Sequence, residues 1–589
     1  MTDIVPTPLR HTLYAIKECE RTSLKQPWYR DKHRWILEFE ACLSVEASEF
    51  MPAMSSWFLV VEEKQVRPKI SIFPAIDGGI ISTFMHQSAN VPGPPGTKWK
   101  LGNPCIERPE ATFNRDLDSD EPSDLEGRLI WYLYRLLSWI DAAATGTLSR
   151  QNDYAELPSF GTLSGAVLGF VENIGDLTAW LPRIGSWGYA STGPVRGALR
   201  HRQILQYFDA DGTTIKRDVV GKEQNNLPVD SIWLMLSRLP VLAPWQAPLT
   251  WRELAVCANN DGVNLKDIFL QAGQEMRSKC HPITRLLIGF PFAEKIGTPA
   301  ERVHWIAAEQ IELAGPDSKR DGFRSTENNR VRWDVAKATS TASIRWSRTA
   351  NWASDQLRTR GEAEAKVRLC QVLLIGAGAV GSAVVENLAR LGVRELGVID
   401  GDTVEVGNLS RHTLGLSDCG HLKSSALAAR LENCAPDINA VIHLGSFPPT
   451  DLKTAAQLRG YDVIIDCTGS DDVLKDISLF NWGSEKIFIS LSIGWGAREF
   501  FCFCASEVTF PVIDAIERFS QGMSYRPNIG AANREGIGCW HPVFPATADD
   551  IQLWGAIGSK FVRSAILQPT RTCKIFRLLQ DSTVTVADV

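Results

Sequence analysis

Apolar and polar residues alternate along three short runs in the first 155 residues, and a period of two predicts β-strands. Turn residues join the runs, so we predict an antiparallel meander built from Trp57–Glu62, Lys69–Pro74 and Gly79–His86. A loop rich in glycine and proline, Val91–Pro104, follows the meander and leads directly to Cys105. After an acidic linker, the strongly apolar stretch Arg128–Ala143 predicts a helix.

The middle region, about 156–335, has a mixed pattern. Gln203–Phe208 and Thr214–Val219 flank Asp211-Gly212, a pair favoured in two-residue turns, and therefore predict a β-hairpin. The polar stretch Asp317–Lys337 predicts an exposed linker or loop. No residue pattern of this region indicates a chemistry.

A strand, a glycine-rich turn and a helix are predicted in succession further along the chain. The apolar run Gln371–Ile375 leads into Gly376, Gly378 and Gly381, and a helical pattern then continues to a glycine stop at Gly392. This combination predicts a fold of the α/β class, with a phosphate-binding turn at the edge of a parallel sheet. By itself the pattern indicates only a nucleotide, and a nicotinamide dehydrogenase is its usual interpretation.

A series of polar residues follows that a nicotinamide-dependent redox domain does not require: Asp400, Asp402, Asn408, Arg411, Lys423 and Asp466. At these positions the chain resembles the ThiF-like adenylating enzymes, the family that includes the activating enzymes of ubiquitin-like proteins. The resemblance covers roughly residues 345–561. It implies a Rossmann-type adenylation domain that uses ATP and Mg²⁺.

The resemblance also implies a role for each residue of the series. The three glycines would admit the nucleotide, and Asp400, the first residue of the D-x-D pair with Asp402, would hold the ribose. The triphosphate would be bound by Asn408, Arg411 and Lys423. Asp466 would hold magnesium.

Elementary chemistry agrees with these roles, because activation of a carboxylate by ATP requires cations beside the α-phosphate and a metal on the developing pyrophosphate. Asp466 ends the apolar run Tyr461–Asp466, which predicts a position at the carboxyl edge of the sheet, where ligands bind. The alternative for single residues is structural: a surface Arg411, a surface Lys423 and a helix-capping Asp466.

Arg345-Trp-Ser-Arg348 resembles a further family segment, in which an arginine enters the ATP site of the partner in a dimer. The resemblance implies that Arg348 has this role and that the protein is a homodimer. The family's usual glutamine is replaced by Thr349, so a solvated basic turn is the alternative.

Cys539 lies in a glycine-bearing segment that ends in His541-Pro542, shortly before Thr547 and Asp550, which predict a helix start. A nearby helix start and an imidazole would lower the pKa of this thiol. The alternative is a buried structural cysteine. The position resembles that of the thioester cysteine in fused bacterial activating enzymes.

Cys105 follows a meander and precedes a long helix, an order that resembles the ubiquitin-conjugating α+β fold. Its implied role is to receive an acyl group as a second thioester. The family's His-Pro-Asn tripeptide is absent; His86 and Asn90 stand upstream, and Asn103 or Asn90 is the candidate for oxyanion stabilisation. A core thiol at a strand edge is the alternative.

The predicted domains are a conjugating-like domain at 1–155, a linker domain at 156–340 and an adenylation domain at 341–589 that carries the catalytic-cysteine segment, about 505–550. This order resembles the fused activating–conjugating enzymes of bacterial CBASS antiphage operons. The resemblance implies that a cGAS-like nucleotidyltransferase (CD-NTase) is adenylated at its C-terminus, passed from Cys539 to Cys105 and joined to a lysine amine of a target.

The charge, the hydropathy and the cysteines of the chain argue against several partners, locations and functions. The net charge of −6 argues against a nucleic-acid partner, and the absence of a long apolar run or a signal-like N-terminus predicts a cytoplasmic protein with no membrane span. Thirteen cysteines without a Cys-x-x-Cys pair predict reduced thiols and weaken a sulfur-carrier interpretation. Two rival functions remain open: an adenylating sulfur-transfer enzyme and an ATP-sensing scaffold that is not an enzyme.

Overall fold

The computed structural model describes residues 4–63, 67–106, 121–160, 165–195, 198–218, 228–279, 282–315, 326–523 and 546–589. The chain divides into two compact units. The first contains Met1–Thr192, Gln206–Arg217 and Leu227–Ala350, and the second contains Gly193–Leu205, Asp218–Asn226 and Asn351–Val589. The described residues therefore include every predicted site residue except Cys539, which lies outside them.

The N-terminal region contains a four-stranded antiparallel sheet of order β1-β2-β3-β4. A helix precedes it and a longer one follows; the elements are α1 (Thr7–Glu18), β1 (Thr22–Asp31), β2 (Arg34–Cys42), β3 (Met54–Glu62), β4 (Lys69–Pro74) and α2 (Leu125–Thr145). The antiparallel meander and the helix are thus confirmed, and β3 and β4 match the runs predicted from Trp57 and Lys69. The third predicted strand, Gly79–His86, is wrong.

The error at 79–86 has a local cause. The segment 79–86 is irregular: its carbonyl groups at Ile80 and Ser82 accept hydrogen bonds from the side chain of Asn90 (2.8 and 3.0 Å) instead of forming a sheet ladder. Neither β1 nor β2 was predicted. Pro27 interrupts the pattern of β1, and its pairing with β2 shifts register on either side of Gln26.

The core of this region is formed by the inner face of the sheet and the buried face of α2. Asp124 caps α2 through a hydrogen bond from the backbone N–H of Gly127, and Gly146 ends the helix in the left-handed conformation. Trp57 and Trp139 meet edge to face with ring centroids 6.2 Å apart. The long apolar face of α2 thereby covers the strands that precede it.

The middle region is built around a second sheet. Its central strands have the order β5-β12-β11-β10-β9-β6, in which β9 and β10 are parallel, and β7 and β8 form an antiparallel hairpin. The elements are β5 (Val167–Phe170), α3 (Leu177–Trp180), β6 (Trp187–Val195), β7 (Ala198–Asp209), β8 (Thr214–Arg217), β9 (Ser231–Met235), α4 (Trp251–Asn259), α5 (Leu265–Lys279), β10 (Arg285–Phe292), β11 (Arg302–Glu309), α6 (Glu327–Lys337) and β12 (Arg345–Asn351). The hairpin predicted at Asp211-Gly212 is confirmed.

The prediction of an exposed linker or loop at Asp317–Lys337 is wrong for residues 327–337, which form a helix, and residues 317–325 lie outside the described part of the chain. Residues from Glu327 form α6, which begins at the side-chain cap of Thr326. The helix is held because its Asp334 is fully buried and pairs with Arg277 at 2.7 Å. Arg277 also pairs with Glu327 at 3.0 Å, and Asp334 accepts the backbone N–H of Ala314 at 2.7 Å, so polar partners from elsewhere in the region accompany this polar helix.

The C-terminal region contains an eight-stranded sheet of order β15-β14-β13-β16-β17-β18-β19-β20, parallel from β15 to β17 and antiparallel afterwards. Its elements are α7 (Ser354–Leu357), α8 (Ala365–Arg368), β13 (Gln371–Ile375), α9 (Ala379–Leu391), β14 (Glu395–Ile399), α10 (Lys423–Glu432), β15 (Asn439–His443), α11 (Leu452–Leu458), β16 (Val463–Asp466), α12 (Asp471–Leu479), β17 (Lys486–Ile493), β18 (Glu499–Glu507), α13 (Val512–Gly522), α14 (Ala548–Leu567), β19 (Thr572–Leu578) and β20 (Val584–Asp588).

The predicted strand, glycine turn and helix are therefore confirmed as β13 and α9, and Gly392 ends the helix at φ +109°. The capping box predicted at Thr547 and Asp550 begins α14. Parallel strands buried on both faces carry continuous apolar sequence, as Val372–Ile375 and Val463–Ile465 do. Their carboxyl ends meet at one edge, and that edge carries the polar series.

Candidate active site

The three glycines after β13 are needed for three different reasons. Gly376 has φ +90°, and a Cβ there would lie 2.8 Å from Cγ2 of Thr468. A Cβ at Gly381 would lie 2.2 Å from the carbonyl oxygen of Gly376, so this glycine lets α9 pack against the turn. Gly378 precedes α9 and faces open space, which leaves the backbone accessible to a ligand at the helix N-terminus.

Asp400 follows β14 and holds the glycine turn in place. One carboxylate oxygen accepts the backbone N–H of Ala377 at 2.6 Å, and the other accepts the backbone N–H of Asp402 at 2.8 Å. The side chain is half-buried. Asp400 therefore joins the two loops that would enclose a nucleotide, and it lies at the sheet edge where the ribose role was predicted.

Lys423 is the first residue of α10 and is tied to the same loop. Its ammonium group lies 2.9 Å from a carboxylate oxygen of Asp402, whose side chain is 76% exposed. Its backbone N–H donates to the carbonyl oxygen of Asp402 at 2.8 Å. The largely buried ammonium group is thus fixed at the pocket wall, while the carboxylate that it contacts faces solvent.

Asn408 and Arg411 come from a 3-10 helix, Val406–Ser410, and the residue after it. The side-chain oxygen of Asn408 accepts the backbone N–H of Glu405 at 3.0 Å, and its carbonyl oxygen accepts the backbone N–H of Arg411 at 3.1 Å. Both residues contribute to the wall of one pocket.

His412 is a positioning residue to which the sequence gave no role. Its Nδ1 accepts the backbone N–H of Leu414 at 3.2 Å, so Nε2 carries the proton and donates to the carbonyl oxygen of Ala377 at 2.8 Å. Burial lowers the pKa of His412, and the charge of Lys423 acts in the same direction. A neutral imidazole therefore links the Asn408–Arg411 loop to the glycine turn.

Asp466 ends β16 and is buried below the sheet edge. One carboxylate oxygen accepts from the hydroxyl of Thr468 at 2.7 Å and from its backbone N–H at 3.1 Å, and the other accepts from the hydroxyl of Ser490 at 2.9 Å. Burial raises the pKa of Asp466, and no cation of the described part of the chain forms an ion pair with it.

A magnesium ion fits this environment only as a site with one protein carboxylate, to which phosphate oxygens and water would add the remaining ligands. Within the described ranges, no group of three or more His, Cys, Asp or Glu side chains is placed to hold a metal on its own. A buried carboxylate without a cationic partner is consistent with such a site, because a bound cation would compensate its charge.

These elements surround a pocket of about 330 Å³. Its walls come from the glycine turn, the loop after β14, α10, the segments after β16 and within β17, and α14; they are Gly378–Val380, Asn408, Arg411, His412, Lys423, Cys467–Gly469, Leu491–Ile493 and Ile551. Of the predicted nucleotide-binding residues, Gly378, Asn408, Arg411 and Lys423 line it. The other predicted residues do not line the pocket; they position the segments that do, through the contacts given above. They are Gly376, Gly381, Asp400, Asp402 and Asp466.

Arg348 lies on β12, in the other compact unit, and its side chain is exposed. The neighbouring Trp346 is buried and donates from its ring nitrogen to the carbonyl oxygen of Pro248 at 2.8 Å. The aromatic residue of the segment thus anchors the strand and leaves the guanidinium in solvent.

Cys105 is the only exposed cysteine among the eleven in the described part of the chain. Its backbone N–H donates to the carbonyl oxygen of His86 at 2.7 Å, and the next carbonyl, that of Ile106, accepts from Nε of the buried Arg135 on α2 at 3.0 Å. The alternative of a core thiol is therefore wrong for Cys105. The thiol is presented at the surface by a loop that is hydrogen-bonded on both sides.

Asn90 and Asn103, the two candidates for oxyanion stabilisation, differ in whether their side-chain N–H groups already donate hydrogen bonds. Both amide protons of Asn90 are used by the carbonyl groups of Ile80 and Ser82, and the residue is 9% exposed. Asn103 accepts the backbone N–H of Ile72 at its side-chain oxygen, 3.2 Å away, and no acceptor in the described residues holds its amide nitrogen. Of the two, Asn103 retains donors for an oxyanion.

Cys539 and His541 lie outside the described residues. The segment that holds them is bounded by α13, which ends at Gly522, and by the start of α14 at Ala548. The helix α14, which follows this segment in the chain, contributes Ile551 to the pocket wall.

Chemically, the pocket offers backbone amides at a helix start and two cations, and the buried carboxylate of Asp466 bonds to Thr468 in its wall. This set suits a nucleoside triphosphate whose α-phosphate is attacked by a carboxylate, since the cations stabilise the charge that develops.

None of the helices in the described ranges has the length and apolar character that a membrane crossing requires.

Two family models match consecutive parts of the chain. The model of the Cap2 central linker domain matches residues 146–352, and the model of the ThiF family matches residues 353–489. An ATP-dependent ubiquitin transferase-like protein Cap2 of Enterobacter hormaechei subsp. hoffmannii (strain UCI 50) is 43% identical over 587 residues, which are 98% of this chain and 98% of that protein.

More distant relatives match a smaller part. The adenylyltransferase and sulfurtransferase uba4 of Aspergillus terreus is 38% identical over 104 residues, or 18% of this chain and 21% of that protein. The crystal structure of E. coli MccB with ATP covers 38% of this chain and 65% of that chain, at 15% identity and a TM-score of 0.28.

Proposed function

Because the chain belongs to the family of ATP-dependent ubiquitin transferase-like Cap2 proteins, we propose that it activates the C-terminal carboxylate of a protein and transfers it through two cysteines to an amine. Its ThiF-family domain makes it an adenylyltransferase. The observation that carries the proposal is the pocket at the carboxyl edge of the parallel sheet, where Gly378, Arg411 and Lys423 meet.

In the first step, the carboxylate of the protein substrate attacks the α-phosphate of ATP, and pyrophosphate leaves. The backbone at Gly378 approaches the phosphates, while Arg411 and Lys423 stabilise the negative charge that develops. Asp466 would hold Mg²⁺, which when bound supplies charge compensation for pyrophosphate. The product is a mixed anhydride with a good leaving group.

In the second step, the thiolate of Cys539 attacks the carbonyl carbon of the anhydride, AMP leaves, and a thioester remains. The thiol of Cys105 then takes the acyl group from Cys539, and a lysine amine of a target attacks this second thioester to form an amide. Division of one difficult acylation into such steps is covalent catalysis. A single chain that carries both thiols raises their effective concentration for each other.

We propose a CD-NTase of an antiphage operon as the protein that is activated, with no separate ubiquitin-like modifier. The resemblance to the CBASS enzymes supports this partner. The rival interpretation, sulfur transfer, is favoured by the uba4 relatives, but these share only 18% of the chain. They leave the exposed Cys105 and the whole N-terminal region without a role.

The test is a gel assay with ATP, Mg²⁺ and a CD-NTase that has its native C-terminus. We expect a protein-sized adduct of this chain that a thiol reductant removes. A thiocarboxylate on the CD-NTase would instead indicate sulfur transfer. Bound ATP without pyrophosphate release or adduct would indicate a scaffold that only senses the nucleotide.

We further propose that the protein is a homodimer in which Arg348 acts in the partner's ATP site. Arg348→Ala and Asp466→Asn should each lower pyrophosphate exchange by at least about 10²-fold, but in a mixture the hybrid dimer has one site with both residues intact. Random exchange of subunits should therefore restore about a quarter of the wild-type activity. Arg345→Ala, which removes a neighbouring exposed arginine, is the matched control and should remain active.

This prediction is read together with a measurement of subunit exchange between differently labelled proteins. If exchange is complete and the mixture stays inactive at every ratio, Arg348 does not act across a dimer.

A further inference from the structure

The turn Thr83–His86 of the N-terminal region brings a histidine to the loop that presents Cys105. Gln87 and Pro104 form an antiparallel bridge, which sets His86 opposite Cys105 and Ser88 opposite Asn103. Two backbone hydrogen bonds follow this register: Cys105 donates to His86 at 2.7 Å, and Ser88 donates to Asn103 at 3.0 Å. His86 is therefore the cross-strand neighbour of the cysteine.

The backbone of His86 has φ +54°, the left-handed region that a side chain adopts only at a cost. Such a conformation persists where surrounding contacts hold it, and it is found most often at functional sites. Two contacts hold this one: the bond from Cys105 to its carbonyl group, and a bond of its ring to a carboxylate.

That carboxylate belongs to Glu156, which lies within the residues matched by the linker-domain model. Nδ1 of His86 lies 2.8 Å from Oε2 of Glu156, and the bond to His86 is the main cause that lowers the pKa of Glu156. An ionised carboxylate can only accept, so Nδ1 carries the proton of this bond. In the neutral ring, Nε2 is then the basic nitrogen.

Backbone hydrogen bonds to the middle region lie on both sides of the His86–Glu156 pair. Next to Glu156, the backbone N–H groups of Asn152 and Ala155 donate to the carbonyl groups of Ile296 and Glu294, each at 2.9 Å. At the other end of the turn, the carbonyl oxygen of Thr83 accepts the backbone N–H of Trp245 at 3.1 Å. The turn is thus anchored to the middle region at both ends.

We propose that His86, oriented by Glu156, is the proton acceptor when an amine attacks the Cys105 thioester; the inference rests on the proposed function of Cys105. The amine nitrogen bonds to the thioester carbonyl carbon, and the bond from that carbon to the sulfur of Cys105 breaks. The surplus proton of the nitrogen passes to Nε2 of His86 and then to the departing thiolate. The products are an amide, a thiol and a neutral imidazole, so protons and charges balance. This chain lacks the His-Pro-Asn tripeptide, and the linker region would supply the orienting carboxylate in its place.

His86→Gly is the sharpest test, because glycine adopts φ +54° without strain and keeps the carbonyl group that Cys105 contacts. The wild type and the variant are charged with ATP and a CD-NTase, adenylation is stopped by removal of ATP, and discharge to free lysine is followed. We expect a normal thioester at Cys105, discharge slowed by about 10²-fold, and recovery of at least about tenfold with added imidazole. Imidazole should not accelerate the wild type.

Glu156 supplies a second variant pair for the positioning role. Glu156→Ala should slow discharge by about tenfold, and Glu156→Gln, which keeps an acceptor for Nδ1–H, should recover part of that loss. A His86→Gly protein that charges and discharges at the wild-type rate, that takes no acyl group, or that gains nothing from imidazole overturns the assignment. If the wild type itself forms no thioester at Cys105, the proposed function fails, and this inference fails with it.

Discussion

Cys105→Ala is expected to abolish amide-linked conjugates while a reducible thioester still forms at Cys539. The reason is the order of the two thiols: Cys539 follows the adenylation core within the same domain, whereas Cys105 is presented by an exposed loop of the N-terminal region. Removal of the second acceptor leaves the acyl group on the first. The measurement is a gel of the charged protein with and without reductant, with peptide mapping of the labelled cysteine.

The companion variant Cys539→Ala should still form the acyl-adenylate but no thioester at either cysteine. Cys105→Lys should trap the transferred protein as an isopeptide, because an amide resists the thiols that reverse a thioester. Cys419→Ala, a substitution of the same kind at a half-buried cysteine, is the control. If Cys105→Ala conjugates targets at the wild-type rate, the first 155 residues have a docking role and the conjugating interpretation is wrong.

Asp466→Asn is expected to lower ATP–pyrophosphate exchange by about 10²- to 10³-fold, the size of effect that follows from loss of one group that stabilises transition-state charge. The amide cannot compensate a divalent cation, yet it retains an oxygen for the hydroxyl of Thr468 or Ser490. The protein should therefore stay folded. Isotope exchange at several Mg²⁺ concentrations, beside circular dichroism of the variant, tests this.

The matched control is Asp472→Asn, which makes the same change at a carboxylate that is 88% exposed on α12. A larger demand for Mg²⁺ in the Asp466 variant would agree with a metal role. Near-normal exchange at all concentrations would remove Asp466 from the metal site and leave it as the residue that holds Thr468 and Ser490 together.

The alternating and apolar runs correctly predicted the strands at whose ends the site lies. They failed where side-chain hydrogen bonds replaced the backbone hydrogen bonds of a sheet. The segment 79–86 has the alternation of a strand, yet the side chain of Asn90 binds its carbonyl groups and His86 turns the chain at φ +54°. Conversely, β1 has a weak pattern because Pro27 lies within it, and pairing with β2 still makes it a strand. In the first case side-chain hydrogen bonds replace strand pairing, and in the second case pairing with a neighbouring strand outweighs a weak local pattern.

The sequence by itself determined the order of strand, glycine turn and helix, the polar residues that follow, and the family to which the chain belongs. These features are local: a period of two or of 3.6, a glycine that must adopt φ +90°, and a residue that ends a strand all leave their mark within a few positions. The tertiary structure alone decided which side chains meet. Ser490 reaches Asp466 because β16 and β17 are neighbours, His412 reaches the glycine turn across 35 positions, and Glu156 reaches His86 from another region. Such partners depend on strand order and on packing between distant segments. Many small burial energies together determine that packing, so no local sequence pattern predicts which side chains meet.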